Sequence, residues 1–479
     1  MKHFKKGKSN NEVQNNIFDK FFPCYRMQAK LIIKNFGPIV DVNMVLKNVN
    51  VLIGPQASGK STIAKVFTIF KSPRKYFKSS LELDNPKLEF TNVYSKEDIQ
   101  NVFEEFNLKP FLKSDTFIEY DSEVHFIKYE NEEITYEPKL RLKALELFFL
   151  ANQIDKENNR DILASKLYST SQLFFIFGLD CERIIYGDLK KEDRLTLGDL
   201  NNLPQEKYIA IIKLLEETEK YLSSKPSLYI PAERVLSSII KKSALNLIVN
   251  DVPIPKHILL FGAELEKLES IAKEIDLNFL SENLKYKVVD GNELIYFSDN
   301  ESINLIEASS GIQSVLPILQ STSGIKGNAH RSLVIEEPEM NLFPLAQYEL
   351  IKLLESKRNT PPIRMNEDFG TIHTYTTHSP YILSSINNLL YAHKVRDKIL
   401  NASRNSGDDF MKRYSDANLK VSEVISAKID PGSFTAYEVF NGTVGSIFNT
   451  ETGLIEDNYI DKATDKINDD FDNLMELIR

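Results

Sequence analysis

The stretch "NVNVLIGPQASGKSTIAKVFTIF", residues 48–70, decides how the chain is read. An apolar run that suits a buried strand leads into Gly54, and a helix-compatible run leads out from Ser61. Between them, Gly54, Pro55, Gln56, Ala57, Ser58, Gly59, Lys60 and Ser61 match G-x-x-x-x-G-K-[ST] at every fixed position. Gly54 and Gly59 permit backbone angles that turn N–H groups inward, forming a nest for phosphate oxygens at a helix N-terminus. Lys60 supplies a mobile positive charge for the β- and γ-phosphates. The Ser61 hydroxyl is a ligand for Mg²⁺, and Thr62 continues the first helical turn. Strand and helix together lift the match above a chance Gly-rich turn, and the expectation is nucleotide binding.

A second strand with a carboxylate at its tip must complete the metal shell of such a loop. "SLVIEEPEMNLFP", residues 332–344, offers one: an apolar lead-in, then Glu336 and Glu337 side by side. Glu336 is the expected metal-side acid and Glu337 the expected general base, since successive strand-end residues project differently. Without the phosphate loop, the same pair would read as a solvated strand end.

Working outward, the 479 residues exceed what one compact core usually holds, which predicts one domain with insertions or two domains. With 42% hydrophobic and 27% charged residues the composition is that of an ordinary globular chain. A net charge of −9 excludes a generally basic surface for nucleic acid and leaves room only for a local basic groove. Two separated cysteines, Cys24 and Cys181, form neither a disulfide framework nor a zinc cluster, so a reducing cytoplasm is expected. No run approaches a membrane span, and no membrane partner is expected.

Residues 1–28 read as a loose basic leader. Residues 29–139 read as a first lobe with strands, the phosphate loop and a β-meander at 115–137. From 140 to 225 the pattern is long, charged and helical, as in an inserted arm. Residues 226–400 return to alternating strands and helices, and 401–479 hold a hairpin centred on Asn441-Gly442 and an acidic amphipathic helix. The fold class expected is α/β, with a mainly parallel core sheet, an antiparallel β lobe and a helical insertion.

"LVIEEPEMNLFP" resembles the Walker B and D-loop segment of ABC-type ATPases of the RecF, SMC and OLD group. Two departures stand out: Phe343 occupies the usual histidine position, and Glu336 replaces the commoner aspartate. "EASSGIQSVLPIL", residues 307–319, looks like the signature motif of that group, with Ser309, Ser310, Gly311 and Gln313 at its core. Alone it would be a plain helix start. "IHTYTTHSPYILSSI", residues 372–386, looks like the switch segment, with His378 placed to touch a γ-phosphate. "YIPAERVLSS", residues 229–238, is similar to a Pro-x-x-Arg element where the glutamine loop would fall. There Glu233 and Arg234 are either site residues or a buried pair holding a loop.

The resemblance implies a P-loop NTPase of ABC-ATPase head type that binds ATP and Mg²⁺ and hydrolyses ATP, with Glu337, His378 and Lys60 catalytic. It implies a homodimer or higher oligomer closing through the heads on the nucleotide. The tail is similar to small AAA-type ATPases of bacterial antiphage loci such as the PARIS systems, which implies a nuclease-type protein effector as partner. A RecF-like DNA-binding repair ATPase is the alternative, although the 140–222 segment carries no clear basic stripe. An OLD-type nuclease is disfavoured because the acids of "SGDDFMKRYSDAN" lack a strand leading into them. A transporter ATPase is disfavoured by the helical insert and the late signature.

Overall fold

The computed structural model describes residues 28–73, 92–94, 96–122, 125–137, 139, 227–269, 272–323, 332–358, 372–403 and 410–477. The chain divides into two compact units, and every described residue belongs to the one formed by Gln28–Leu140, Glu219–Pro361 and Thr371–Arg479. The leader up to residue 27 and the helical insertion expected over 140–225 lie outside the described residues.

Chain order begins with β1 (Ala29–Phe36), β2 (Ile39–Leu46) and β3 (Val49–Ile53), then α1 (Lys60–Lys71), β4 (Asn92–Tyr94) and α2 (Lys96–Glu105). A meander follows of β5 (Phe117–Ser122), β6 (Phe126–Glu130) and β7 (Glu133–Glu137). Next come β8 (Leu228–Ile230), α3 (Leu236–Val249), α4 (Lys256–Glu269) and the short strands β9 (Glu274–Asp276), β10 (Lys285–Val289), β11 (Asn292–Tyr296) and β12 (Ser302–Asn304). Then α5 (Ser310–Ser323), β13 (Ser332–Glu336), α6 (Pro344–Arg358), β14 (Ile372–Thr377), α7 (Pro380–Ala402) and α8 (Phe410–Ser422) complete the second half. The tail holds β15 (Phe434–Phe440), β16 (Thr443–Ser446), β17 (Phe448–Asn449), β18 (Leu454–Ile455) and α9 (Tyr459–Glu476).

One 12-stranded sheet runs β4-β7-β6-β5-β1-β2-β16-β15-β3-β14-β13-β8. Its second half, β15-β3-β14-β13-β8, is parallel throughout. Every residue of β3, β13 and β14 is buried, as expected for parallel strands covered on both faces. The meander strands β5 and β6 instead alternate buried and half-buried positions, the signature of one packed face. The α/β class with a parallel core and an antiparallel lobe is therefore the observed architecture.

The tail hairpin enters this sheet in its middle. β15 lies parallel to β3, and β16 touches β2 at Thr443 and Asp41, so the hairpin joins the antiparallel lobe to the parallel core. Asn441 (φ 49°) and Gly442 (φ 73°) make the tight turn that the Asn-Gly pair signals. The Gly442 carbonyl accepts from the N–H groups of Val40 and Asp41, and a Cβ at Gly442 would come within 2.5 Å of the Pro38 carbonyl. Inside the sheet, Asn50 satisfies all its polar capacity. It accepts from the Lys47 N–H and the Thr435 hydroxyl, and donates to the Lys47 carbonyl and Thr374 Oγ1. Three neighbouring strands, β15, β3 and β14, and the turn before β3 are thereby pinned around one buried amide.

Among the described residues, no helix is long and apolar enough to cross a membrane. The final helix, α9, is closed at its start by a capping box between Asn458 and Asp461 and buries none of its residues. Truncation separates these two parts of the tail. Ending the chain after Asp457 should leave the thermal midpoint within about 2 °C of the full chain, since α9 contributes no buried side chain. Ending it after Ser426 removes β15 from the middle of the sheet, and circular dichroism should then show no cooperative melt.

Candidate active site

The phosphate loop sits where the buried strand β3 ends. Gly54 has φ 146° and Gly59 φ 106°, both outside the range that side chains tolerate. A Cβ on Gly54 would stand 2.1 Å from the Val439 carbonyl of β15, and one on Gly59 would stand 2.5 Å from Ile39 Cδ1. Both glycines are thus required by conformation and by space. Ala57 also adopts a left-handed φ of 60°. Gly59 caps α1, and the Ile63 N–H returns to its carbonyl at 3.0 Å.

Lys60 folds back over its own loop. Its Nζ donates to the carbonyls of Gly54 (2.8 Å) and Pro55 (2.7 Å). Burial pulls its pKa down to about 8, while the negative charges of Glu337, Glu336 and Glu339 pull the other way. The ammonium is held ready for an anion without meeting a carboxylate directly.

Parallel pairing brings the other elements to the same end of the sheet. β14 lies between β3 and β13, with Thr377 opposite Ile53 and Thr376 opposite Glu336. The phosphate loop, the acid pair and His378 therefore follow three adjacent strands. The two acids differ sharply in environment. Glu336 is buried, and burial raises its proton affinity, opposed by the neighbouring Tyr229 and Ser61 hydroxyls and by Lys65. Its Oε2 accepts a long 3.4 Å bond from the Ala232 N–H, and its Oε1 is buried with no partner.

Glu337 turns away from its neighbour because its backbone takes a left-handed φ of 42°, which few non-glycine residues adopt. Its carboxylate is 3.3 Å from His378 Nε2 and half-exposed. The hydrogen bond with His378 draws its pKa down, burial opposes this, and the charges of Lys60 and Arg234 add to the lowering. A carboxylate kept ionised beside the phosphate loop can polarise a water.

Two residues hold this strained corner: Arg234, for which the sequence offers a loop-holding role with Glu233 as one reading, and Glu339, for which it offers none. Arg234 is fully buried and spends its donors on carbonyls: Ser314 (2.7 Å), Pro231 (3.2 Å), Glu336 (2.6 Å) and Glu337 (2.8 Å). Burial lowers its pKa to about 10, opposed by the nearby acids. Glu233 is exposed, so the buried Glu–Arg pair offered as one reading is replaced by an Arg–carbonyl clamp. The second holder is Glu339, whose Oε1 accepts from the Thr377 hydroxyl and from the His378 N–H, both at 2.8 Å. It fixes the His378 backbone. The sequence offers Glu339 only as a third acid; its bonds to Thr377 and His378 are what separate it from a solvated one.

The residues expected to form a signature motif lie at the start of α5. Ser309 and Ser310 are exposed at the start of α5, and Gln313 donates to the carbonyls of Ile306 (3.1 Å) and Ala308 (2.7 Å). Gly311 is pressed against the segment after the acids, since a Cβ there would approach the Asn341 carbonyl to 2.8 Å. The Ser314 hydroxyl donates to the Met340 carbonyl at 2.8 Å. Beyond it, Phe343 is 77% exposed, so the residue in the histidine position faces solvent.

Among the described residues, no group of three or more His, Cys, Asp or Glu is arranged to hold a metal alone. The donor set nonetheless fits Mg²⁺ shared with nucleotide phosphates, because the unpartnered Glu336 Oε1 and the Ser61 hydroxyl stand together beside the loop.

Two outcomes follow from this geometry. Arg234→Met leaves its carbonyl acceptors buried without donors and should cost about 3 kcal/mol in urea unfolding. Lys60 is charged below its pKa of about 8 and neutral above it, so triphosphate affinity should fall as pH rises through about 8. Calorimetry at pH 8.5 should show proton uptake on binding, absent in Lys60→Ala. Flat affinity between pH 7 and 9 would refute it.

The family model described as AAA ATPase domain (AAA_15) matches residues 27–383, well over half of the chain. No curated protein sequence matches it. Among solved structures it is similar to the SMC head bound to the C-winged helix domain of ScpA, at 13% identity and TM-score 0.33, covering 75% of this chain and 92% of that one. The SMC head domain from Thermotoga maritima gives 11% identity and TM-score 0.32 over 88% and 98%. An SMC head with extended coiled coil, bound to the C-terminal domain of ScpA from Pyrococcus furiosus, gives 10% and 0.31 over 92% and 100%. With a phosphate loop, an acid pair and a histidine gathered at one end of a parallel sheet, the chain belongs to the AAA ATPase domain family and is an ATPase.

Proposed function

We propose that two copies of this chain close head to tail on ATP, and that hydrolysis relieves the closure. Each nucleotide would lie between Gly54–Thr62 of one copy and Ser309, Ser310, Gly311 and Gln313 of the other. The observation that carries this reading is the exposure of Ser309 and Ser310 at the start of α5, on a turn already fixed by Gln313 and by the Asn341 backbone. A preformed helix N-terminus facing solvent suits an anion brought by a second molecule.

Within one copy, Lys60 would leave its loop carbonyls for the β- and γ-phosphates, and His378 would meet the γ-phosphate. Glu337 would hold the attacking water and accept its proton. Ser61 and Glu336 would hold Mg²⁺, which when bound neutralises charge on the phosphates. Binding favours the closed pair only by the difference between its contacts in the two states. We assign this switch to the cytoplasm, as the sensing subunit of an antiphage system that controls a nuclease-type effector; the support is the resemblance of its tail and motifs.

Glu337→Gln should retain ATP binding, lower turnover by about 100-fold or more, and accumulate a dimer or larger species on light scattering. Wild-type turnover by this variant would remove Glu337 from its role. Duplex DNA that raises turnover with steep salt dependence would move the biological reading to a DNA-binding repair ATPase.

A further inference from the structure

Two buried polar atoms that meet no well-formed hydrogen bond stand at the edge of the site: Glu336 Oε1 and the Tyr229 hydroxyl. The sheet puts them there. β8 pairs with β13 in parallel, with Tyr229 opposite Val334, and strand alternation places Val334 and Glu336 on one face. Tyr229 and Glu336 thus share that face. Their proximity is felt in both groups, since burial and then the Glu336 charge push the Tyr229 phenol well up.

The Tyr229 ring is held on several sides. The His257 ring packs edge-on at 5.9 Å, Phe106 does the same at 5.9 Å, and Lys65 Nζ lies 5.7 Å above the ring. The ring therefore has little freedom, whereas the Glu336 carboxylate is reached from the backbone by the long bond from the Ala232 N–H to Oε2.

We propose that Tyr229 is a positioning residue for Glu336, its hydroxyl donating to the carboxylate so that one oxygen is fixed toward the Ser61 hydroxyl and the metal. This rests on the reading of Glu336 as a metal-side acid. It also accounts for glutamate at a position where aspartate is commoner. The longer side chain has one more rotatable bond, and a rigid phenol on the neighbouring strand removes that freedom. The hydroxyl acts on the carboxylate and does not touch the nucleotide.

The test measures Mn²⁺ binding by electron paramagnetic resonance on the full chain with a non-hydrolysable ATP analogue, so turnover is not the readout. Tyr229→Phe keeps the ring and its packing, and should leave the thermal midpoint and metal-free analogue affinity unchanged. The Mn²⁺ concentration at half-saturation should rise about five- to tenfold, as expected for loss of one hydrogen bond to a charged group. Glu336→Ala should shift it further, and adding Tyr229→Phe to Glu336→Ala should change nothing more. A shift in Glu336→Ala with none in Tyr229→Phe overturns the positioning role and leaves the metal reading intact. Additive effects in the double variant also overturn it. No shift in either variant removes Glu336 from the metal, and the proposal with it.

Discussion

A buried arginine whose hydrogen bonds go to backbone carbonyls is the constraint on which this site depends. Arg234 carries a full charge into a place with no solvent, and its compensation is a set of carbonyl dipoles from the Pro231 turn, helix α5 and the two acids ending β13. A guanidinium suits this because its planar fork presents several donors in fixed directions. The carbonyls, for their part, would be poorly satisfied without it, since the chain leaves the β ladder at Glu336 and reverses into a left-handed residue at Glu337. The clamp thus permits the reversal that sends the second acid toward His378.

That reversal resolves the difficulty of two adjacent acids. Repulsion between them is reduced by separation in direction and in environment. Glu336 goes into the interior, where burial raises its proton affinity, while Glu337 goes to a half-open position where a histidine lowers it. Adjacent carboxylates shifted in opposite directions can take different chemical tasks. Glu339 adds a third environment: it is half-buried, with its proton affinity raised by desolvation, yet engaged by backbone and hydroxyl donors that fix the His378 segment.

Much of this was legible in the sequence, because the strongest signals are local. The phosphate loop, its flanking strand and helix, the apolar strand before Glu336 and the Asn441-Gly442 turn each announce themselves within a dozen residues. What escaped the sequence depends on distant pairing. Nothing local tells that residues 434–440 lie beside residues 49–53, or that Tyr229 of β8 shares a sheet face with Glu336 of β13. Arg234 looked ready to pair with Glu233 because neighbours in sequence with opposite charge invite it. In the 3-10 turn of 232–235 the two side chains diverge, one exposed and one buried.

The place of β15 between β16 and β3 has a consequence in time. The strand that carries the phosphate loop, residues 49–53, emerges from the ribosome well before the strand that covers one of its edges, residues 434–440. At ordinary rates of synthesis that interval is on the order of tens of seconds. During it, the edge of β3 that β15 will occupy presents unpaired N–H and C=O groups, a surface on which other chains can add. Folding of this half must then wait for a contact between ends of the sequence, the kind of pairing that makes folding slow. An ATPase built in this way gains its nucleotide loop in finished form only once residues 434–440 have been made.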